Sequence, residues 1–202
     1  MKIEWKKIPL NQLVLGITNG MTRTQIDTET MYPVTRIETI SDETIDMSRV
    51  KYLQTISIKD IKKYRLENGD ILFSHINSIS HIGKTALYQN KPKMLIHGMN
   101  LLKIRPDPKK INPKYLFFYT KYEVFKDRVI SLAKKAVNQA SITQRDLGSI
   151  LILVPPMDEQ IKIVKKMDEI NYLIELEVKY FEKLKLLEKG MLQKLLSEKL
   201  DA

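Results

Sequence analysis

Apolar residues recur with two different rhythms along this chain, and the rhythm changes at Pro155-Pro156. Upstream, short apolar runs alternate with turn dipeptides. Downstream, Ile161, Val164, Met167, Ile170, Ile174, Val178, Phe181, Leu184, Leu187, Met191 and Leu195 follow one another in steps of three and four. That spacing puts them on one face of an α-helix. Glycine occurs once in this stretch (Gly190), proline is absent, and Asp158 is a suitable N-cap. The pattern therefore predicts a domain over 1–156 and one long helix over 157–202. At about 1.5 Å per residue the helix would reach roughly 60 Å. A helix of that length cannot bury its stripe against the preceding domain, and the chain holds no second helix to match it. The pattern demands association, as a coiled coil.

The upstream rhythm is mixed. A short helix is expected between Ile8 and Leu15, ending near Gly16 and the turn dipeptide Asn19-Gly20. Tyr32 to Ile40 is β-branched and reads as a strand. Glu67-Asn68-Gly69-Asp70 is a turn that launches a strand through Ser74. Thr85 to Tyr88 and Met99 to Arg105 read as further strands, the second stopped by Pro106-Asp107-Pro108. Pro113 suits the first turn of a helix, and Tyr115, Leu116, Phe118, Tyr119, Tyr122 and Phe125 extend a helical stripe to about Leu132. Ile150 to Val154 is a last strand running into the prolines. These elements describe an α+β domain with a curved, mostly antiparallel sheet.

Charge sharpens the division. The chain has 202 residues and a formal net charge of +10. From Asp158 onward there are nine lysines, no arginine and ten acidic residues, a net of −1. The preceding 157 residues carry 25 basic and 14 acidic groups, a net of +11. The whole excess lies on the domain, where it attracts polyanions, nucleic acid first. The polar face of the helix is near neutral, which disfavours a membrane surface as partner. There is no cysteine, so disulfides, thiolate zinc sites and cysteine nucleophiles are excluded, and a cytoplasmic location is expected. The N-terminal residues hold no apolar core of signal-peptide length.

Signals for catalysis fail one by one. Ser78 to Thr85 is close to a phosphate-binding loop, but Ser78 replaces the first glycine and the segment lies between strands instead of opening a helix. His75, His81 and His97 have neither i,i+4 spacing nor cysteine companions, so no metal site is expected. Acid–lysine pairs such as Glu182-Lys183 fall on the polar face of the helix. No cofactor is expected. Three polar segments of the basic domain suit DNA instead: Asn19 to Gln25 with Arg23, Ser74 to Ser78, and Lys134 to Ser141. Lysines there can hold phosphates, while Asn138 and Gln139 have the amide geometry that reads adenine in the major groove.

Several of these stretches resemble a known family. Leu66 to Ser74 followed by Ile82-Gly83-Lys84 is similar to the "GDIL-S … GK" run of target-recognition domains. Gln139-Ala140-Ser141-Ile142, with Leu147 and Ile150, looks like the run that closes such a domain. Val154-Pro155-Pro156-Met157-Asp158-Glu159-Gln160 resembles the "PP-x-x-EQ-x-x-I" start of a long conserved helix. In order and spacing these match the specificity subunit of type I restriction-modification systems across nearly the whole chain.

The resemblance implies a non-catalytic subunit that binds double-stranded DNA and scaffolds adenine-specific methyltransferase subunits, with or without a restriction subunit. Members usually carry two recognition domains and two antiparallel helices, so this chain reads as a half-size version or an excised half. Two copies pairing their helices, with Ile161, Val164, Ile170, Ile174, Val178, Phe181, Leu184, Met191 and Leu195 at the seam, would form a homodimer that reads a split palindrome. The expected DNA-binding set is Asn77, Ser78, Asn138 and Gln139 toward bases, Arg23, Lys84, Lys134 and Lys135 toward phosphates, and His75. Two other readings rest on the same features: a coiled-coil assembly protein whose basic domain binds another protein, and a small nuclease.

Overall fold

The computed structural model describes residues 4–41, 44–137 and 139–200. It divides into two compact units, Met1–Ile161 and Lys162–Ala202, each described by itself.

The first unit opens with β1 (Lys6–Pro9), a one-turn α1 (Leu10–Leu13) and β2 (Val14–Asn19). Short pieces follow: β3 (Pro33–Val34), β4 (Ile40–Ser41), β5 (Thr44–Ile45) and β6 (Lys51–Tyr52). Then come α2 (Ile58–Tyr64), β7 (Ile71–Ser74), β8 (Ile76–Asn77), β9 (Thr85–Leu87) and β10 (Leu101–Pro106). The unit continues with α3 (Pro113–Thr120), α4 (Glu123–Leu132), β11 (Lys134–Ala136), β12 (Gln139–Ser141), α5 (Gln144–Ser149) and β13 (Leu151–Val154). The pairs formed by these strands are antiparallel. The α+β class and antiparallel pairing agree with the sequence pattern, but the strands divide among several small sheets. The largest has the order β2-β10-β7-β9, beside a three-stranded β11-β12-β8 sheet and a β1-β13 pair.

Local chemistry explains where elements start and break. Ser57, Asn112 and Thr143 are N-caps whose side chains accept amide hydrogens from Asp60, from Lys114 and Tyr115, and from Asp146, opening α2, α3 and α5. The strand expected over 32–40 is interrupted by a 3-10 turn at Ile37–Thr39. There the Thr39 hydroxyl donates to the Arg36 carbonyl at 2.6 Å and accepts from the Arg36 amide at 3.2 Å. Such local bonds compete with the ladder.

The helix expected to run from Pro113 to Leu132 is two helices, broken at Lys121-Tyr122, where Tyr122 is extended. The reason is phase. Leu116 and Thr120 are buried in α3, and Phe125 and Val129 in α4. Each of the second pair lies nine residues after its counterpart, half a turn out of register at roughly 100° per residue. One straight helix could not bury both pairs, and the break re-aims α4 so that Phe125 meets Phe73 edge-on at 6.5 Å.

The core of the main sheet includes Ile71, Leu72, Phe73, Leu101, Leu102 and Ile104, all fully buried. At its end sits an ionic knot. Arg105 donates to both oxygens of the buried Asp70 carboxylate at 2.8 Å and to Glu67 at 2.7 Å. The carboxylate beside it holds the guanidinium pKa above its ordinary value. Asp70 also accepts the Glu67 amide at 2.7 Å, closing the turn in which Gly69 has a φ of +92°. A bidentate pair of this kind fixes direction as well as distance, so the turn and β7 are aimed together.

The second unit belongs to α6 (Met157–Leu200). Of the predicted stripe, Ile170, Ile174, Val178, Phe181, Leu184, Met191 and Leu195 are exposed, while Val164 is buried. Leu173, Leu176, Tyr180, Leu187, Leu192 and Leu196 are exposed as well. At roughly 100° per residue, these side chains cover about 200° of the helix circumference. No described helix is long and apolar enough to cross a membrane.

Candidate nucleic-acid interface

Two polar segments more than fifty residues apart in sequence become one surface. β12 pairs on one side with β11 (Lys134 opposite Ser141, Ala136 opposite Gln139) and on the other with β8 (Ala140 opposite Asn77, Ser141 opposite Ile76). The Ile142 amide donates to the His75 carbonyl at 3.0 Å, extending the junction. The structure thus brings His75, Asn77, Ser78, Lys134, Lys135 and Gln139 together around one small sheet. Asn138 lies outside the described residues.

The sheet is exposed where the charges are. Lys134, Lys135 and Ala136 all face solvent, as does Gln139, while Ala140 is buried beneath. Among the described residues, no ion pair engages Lys134, Lys135 or Lys84. From Arg128 to Arg145 the chain has four basic residues and no acidic one. A polyanion would meet no carboxylate from this segment.

The other expected contacts are differently disposed. The Asn77 amide donates to the Ser74 hydroxyl at 3.2 Å and accepts the Ser78 amide at 2.9 Å. Ser78 is bonded to Nδ1 of His81 at 2.8 Å and to Ser80 at 3.1 Å. Both side chains thus hold the shape of the loop. Arg23 is engaged by Asp60 of α2 at 3.1 Å. Lys84 is exposed at the loop's stem, where its carbonyl accepts the Ser74 amide at 2.8 Å. The phosphate-loop likeness ends here too. The amides of His81, Ile82 and Gly83 donate to the carbonyls of Ser78 and Ser74, which leaves them no capacity for a phosphate.

Thr143, Gln144 and Arg145, which the sequence pattern did not single out, join this surface. Asn19, His75, Ser141, Thr143, Gln144 and Arg145 line an open cleft of about 520 Å³ beside the sheet. Gln144 and Arg145 come from α5, a six-residue helix too short for an apolar period to reveal. Its signal was the spacing Thr143-x-x-Asp146, a cap that precedes a helix. His75 has a buried Nδ1 without a hydrogen-bond partner among the described residues, and burial lowers its pKa, so it meets the cleft as neutral imidazole.

The entrance to α6 shows why its motif has that form. Gln160 is buried; its amide donates to the Pro155 carbonyl at 2.9 Å and accepts the Asn112 amide at 2.8 Å. Pro155 and Pro156 end β13, and the Pro156 carbonyl accepts the amides of Glu159 and Gln160 in the first turn. One glutamine therefore ties the start of the long helix to the cap of α3.

Known proteins resemble this chain over most of its length. The pattern of the "Type I restriction modification DNA specificity domain" matches residues 2–186. The type I restriction enzyme MjaX specificity subunit of Methanocaldococcus jannaschii is 45% identical over 195 residues, which cover 96% of this chain and 46% of that protein. The EcoKI specificity subunit of Escherichia coli is 22% identical over 168 residues, 82% of this chain and 36% of that one. Among solved structures, the type I restriction-modification system S subunit from M. genitalium superposes with a TM-score of 0.60 at 17% identity, over 86% of this chain and 41% of that chain. The HsdS subunit of Thermoanaerobacter tengcongensis gives 0.60 at 18% identity, over 91% and 47%. These last likenesses are of fold. The chain spans about half the length, or less, of the relatives it matches.

Proposed function

This chain belongs to the family of type I restriction-modification DNA specificity subunits, and from that premise we propose that it reads one half of a bipartite DNA site. The observation that carries this reading is the β11-β12-β8 sheet, which presents unpaired lysines and an exposed amide on a domain holding all the chain's excess positive charge. Lys134, Lys135 and Lys84 hold phosphates and set the register. Gln139, with Gln144 and Arg145 from the neighbouring cleft, is the source of base contacts. Asn77, Ser78 and His75 shape the loop beneath them. The chain itself carries no chemistry in this reading; methylation of adenine belongs to a partner methyltransferase, and cleavage to a restriction subunit where one is present.

A chain with one recognition unit and one long helix supplies half of a two-domain reader. Two copies pairing α6 about a twofold axis complete it, and the target is then a split palindrome. A two-helix seam uses a narrow stripe, whereas the exposed apolar side chains named above already span about 200°. The remainder is available to methyltransferase helices. Light scattering should give a mass near twice 23.6 kDa, and a monomer at micromolar concentration would refute the pairing.

An electrophoretic shift tests the reading of DNA. Binding should fall steeply with salt, and Lys134→Ala with Lys135→Ala should weaken it about tenfold for all sequences while reducing the salt slope by about 2. Unchanged affinity removes the ribbon from the interface. No shift with any duplex would leave the long helix as the functional element and the chain as an assembly protein.

A further inference from the structure

The β11-β12 ribbon carries one large apolar side chain among polar and small neighbours. Ala136 pairs with Gln139, and Val137 follows Ala136 at the turn. It is 98% exposed, the highest value among the exposed large apolar side chains of the described residues. Single exposed valines are ordinary on protein surfaces. Position sets this one apart. It follows the small Ala136 at the turn of the β11-β12 ribbon, where Lys134, Lys135 and Gln139 are polar and exposed, in a stretch free of carboxylates.

We propose that Val137 is a specificity-determining residue that packs against the 5-methyl group of a thymine in the major groove. This rests on the DNA reading proposed above. The major groove is wide enough for a two-stranded ribbon, and its edges display hydrogen-bonding groups apart from one apolar feature, the thymine methyl. Valine cannot satisfy a donor or acceptor. Driven against a polar base edge by lysines held on the phosphates, it would desolvate that edge without replacing its bonds. Against a methyl group it buries apolar surface on both sides. The tip therefore selects for thymine at one position of the half-site and against bases that present a bare polar edge there.

The test uses the full chain and a duplex selected by it from a randomised pool. Each thymine is replaced singly by deoxyuridine, which keeps the Watson–Crick edge and removes only the methyl. Fluorescence anisotropy should show one position at which the replacement weakens binding about fourfold, the worth of one buried methyl-sized group at about 0.8 kcal/mol. Val137→Ala should lose a similar factor on the thymine duplex and no longer distinguish thymine from deoxyuridine at that position. Being fully exposed, the substitution leaves the fold intact. Salt-dependent binding with equal affinity for thymine and deoxyuridine everywhere overturns this proposal and leaves the DNA reading standing. So does a selected half-site without thymine, or a Val137→Ala protein that keeps the discrimination. Failure to bind any duplex overturns both.

Discussion

The two units of this chain treat apolar residues in opposite ways. In Met1–Ile161 the large aliphatic and aromatic side chains close over one another, with Leu10, Phe73, Leu102 and Leu147 without solvent contact. In Lys162–Ala202 the large apolar side chains from Ile170 to Leu196 lie in the open along the helix. Charge runs the other way: the net of +11 lies on residues 1–157, and the remainder is near neutral. The first unit has satisfied its hydrophobic demand internally and presents charge. The second has charge in balance and presents an unmet hydrophobic demand. A unit of the first kind suits a polyanion, and one of the second kind suits other helices.

The contrast is open to direct attack. The largest effect should come from the helix. Phe181→Lys with Leu184→Lys removes four apolar side chains from the proposed twofold seam, on the order of 6 kcal/mol of association free energy. Light scattering should then give a mass of 23.6 kDa with an unchanged circular dichroism spectrum. A variant that stays dimeric would place the seam elsewhere.

Next comes the knot of the first unit. Asp70→Ala takes two charge-assisted bonds from Arg105, leaving it Glu67, and takes the acceptor of the Glu67 amide, a loss of about 3 kcal/mol in urea unfolding. Because this interaction is internal, the loss should not depend on protein concentration. A concentration-dependent loss would mean the two units are not separate in stability.

A smaller effect is set by pH. Burial, with Lys103 nearby, pushes the His97 pKa down to about 3 from 6.5. A base with a depressed folded pKa contributes its full stability above the unfolded value and loses it as pH falls. From pH 7 to pH 5 the first unit should lose about 2 kcal/mol through His97, and His75, shifted the same way, adds to it. His97→Gln should flatten that slope. An equal slope in the variant would assign the loss to other groups.

Several features were legible from residue order alone. The long helix was, because a period sustained over ten turns between prolines and the chain's end admits no other regular structure. So were the strands at Ile71–Ser74 and Leu101–Pro106, which are bounded by turn chemistry. Two short helices escaped. The seven residues of α2 and six of α5 are too few for an apolar period, and only the caps Ser57 and Thr143 announce them. The site was legible in part. Lys134 to Ser141 and Ser74 to Ser78 stood out as polar and basic segments, but nothing local said that they were neighbours. The roles of Asn77 and Ser78 were also hidden, since a side chain that shapes a loop and one that reads a base have the same composition.

By itself the sequence determined the partition of this protein: which part carries charge, which part carries an unpaired apolar face, and where the two join. These are properties of composition and period, which accumulate along the chain. Only the tertiary structure decided the surface. It set β12 between β8 and β11, added Gln144 and Arg145 beside them, and left Val137 bare at the ribbon's tip. The reason is that strand pairing couples residues across long sequence separations through backbone hydrogen bonds that every residue can make. Their pairing is chosen by the packing of the whole core and leaves no mark in the local pattern.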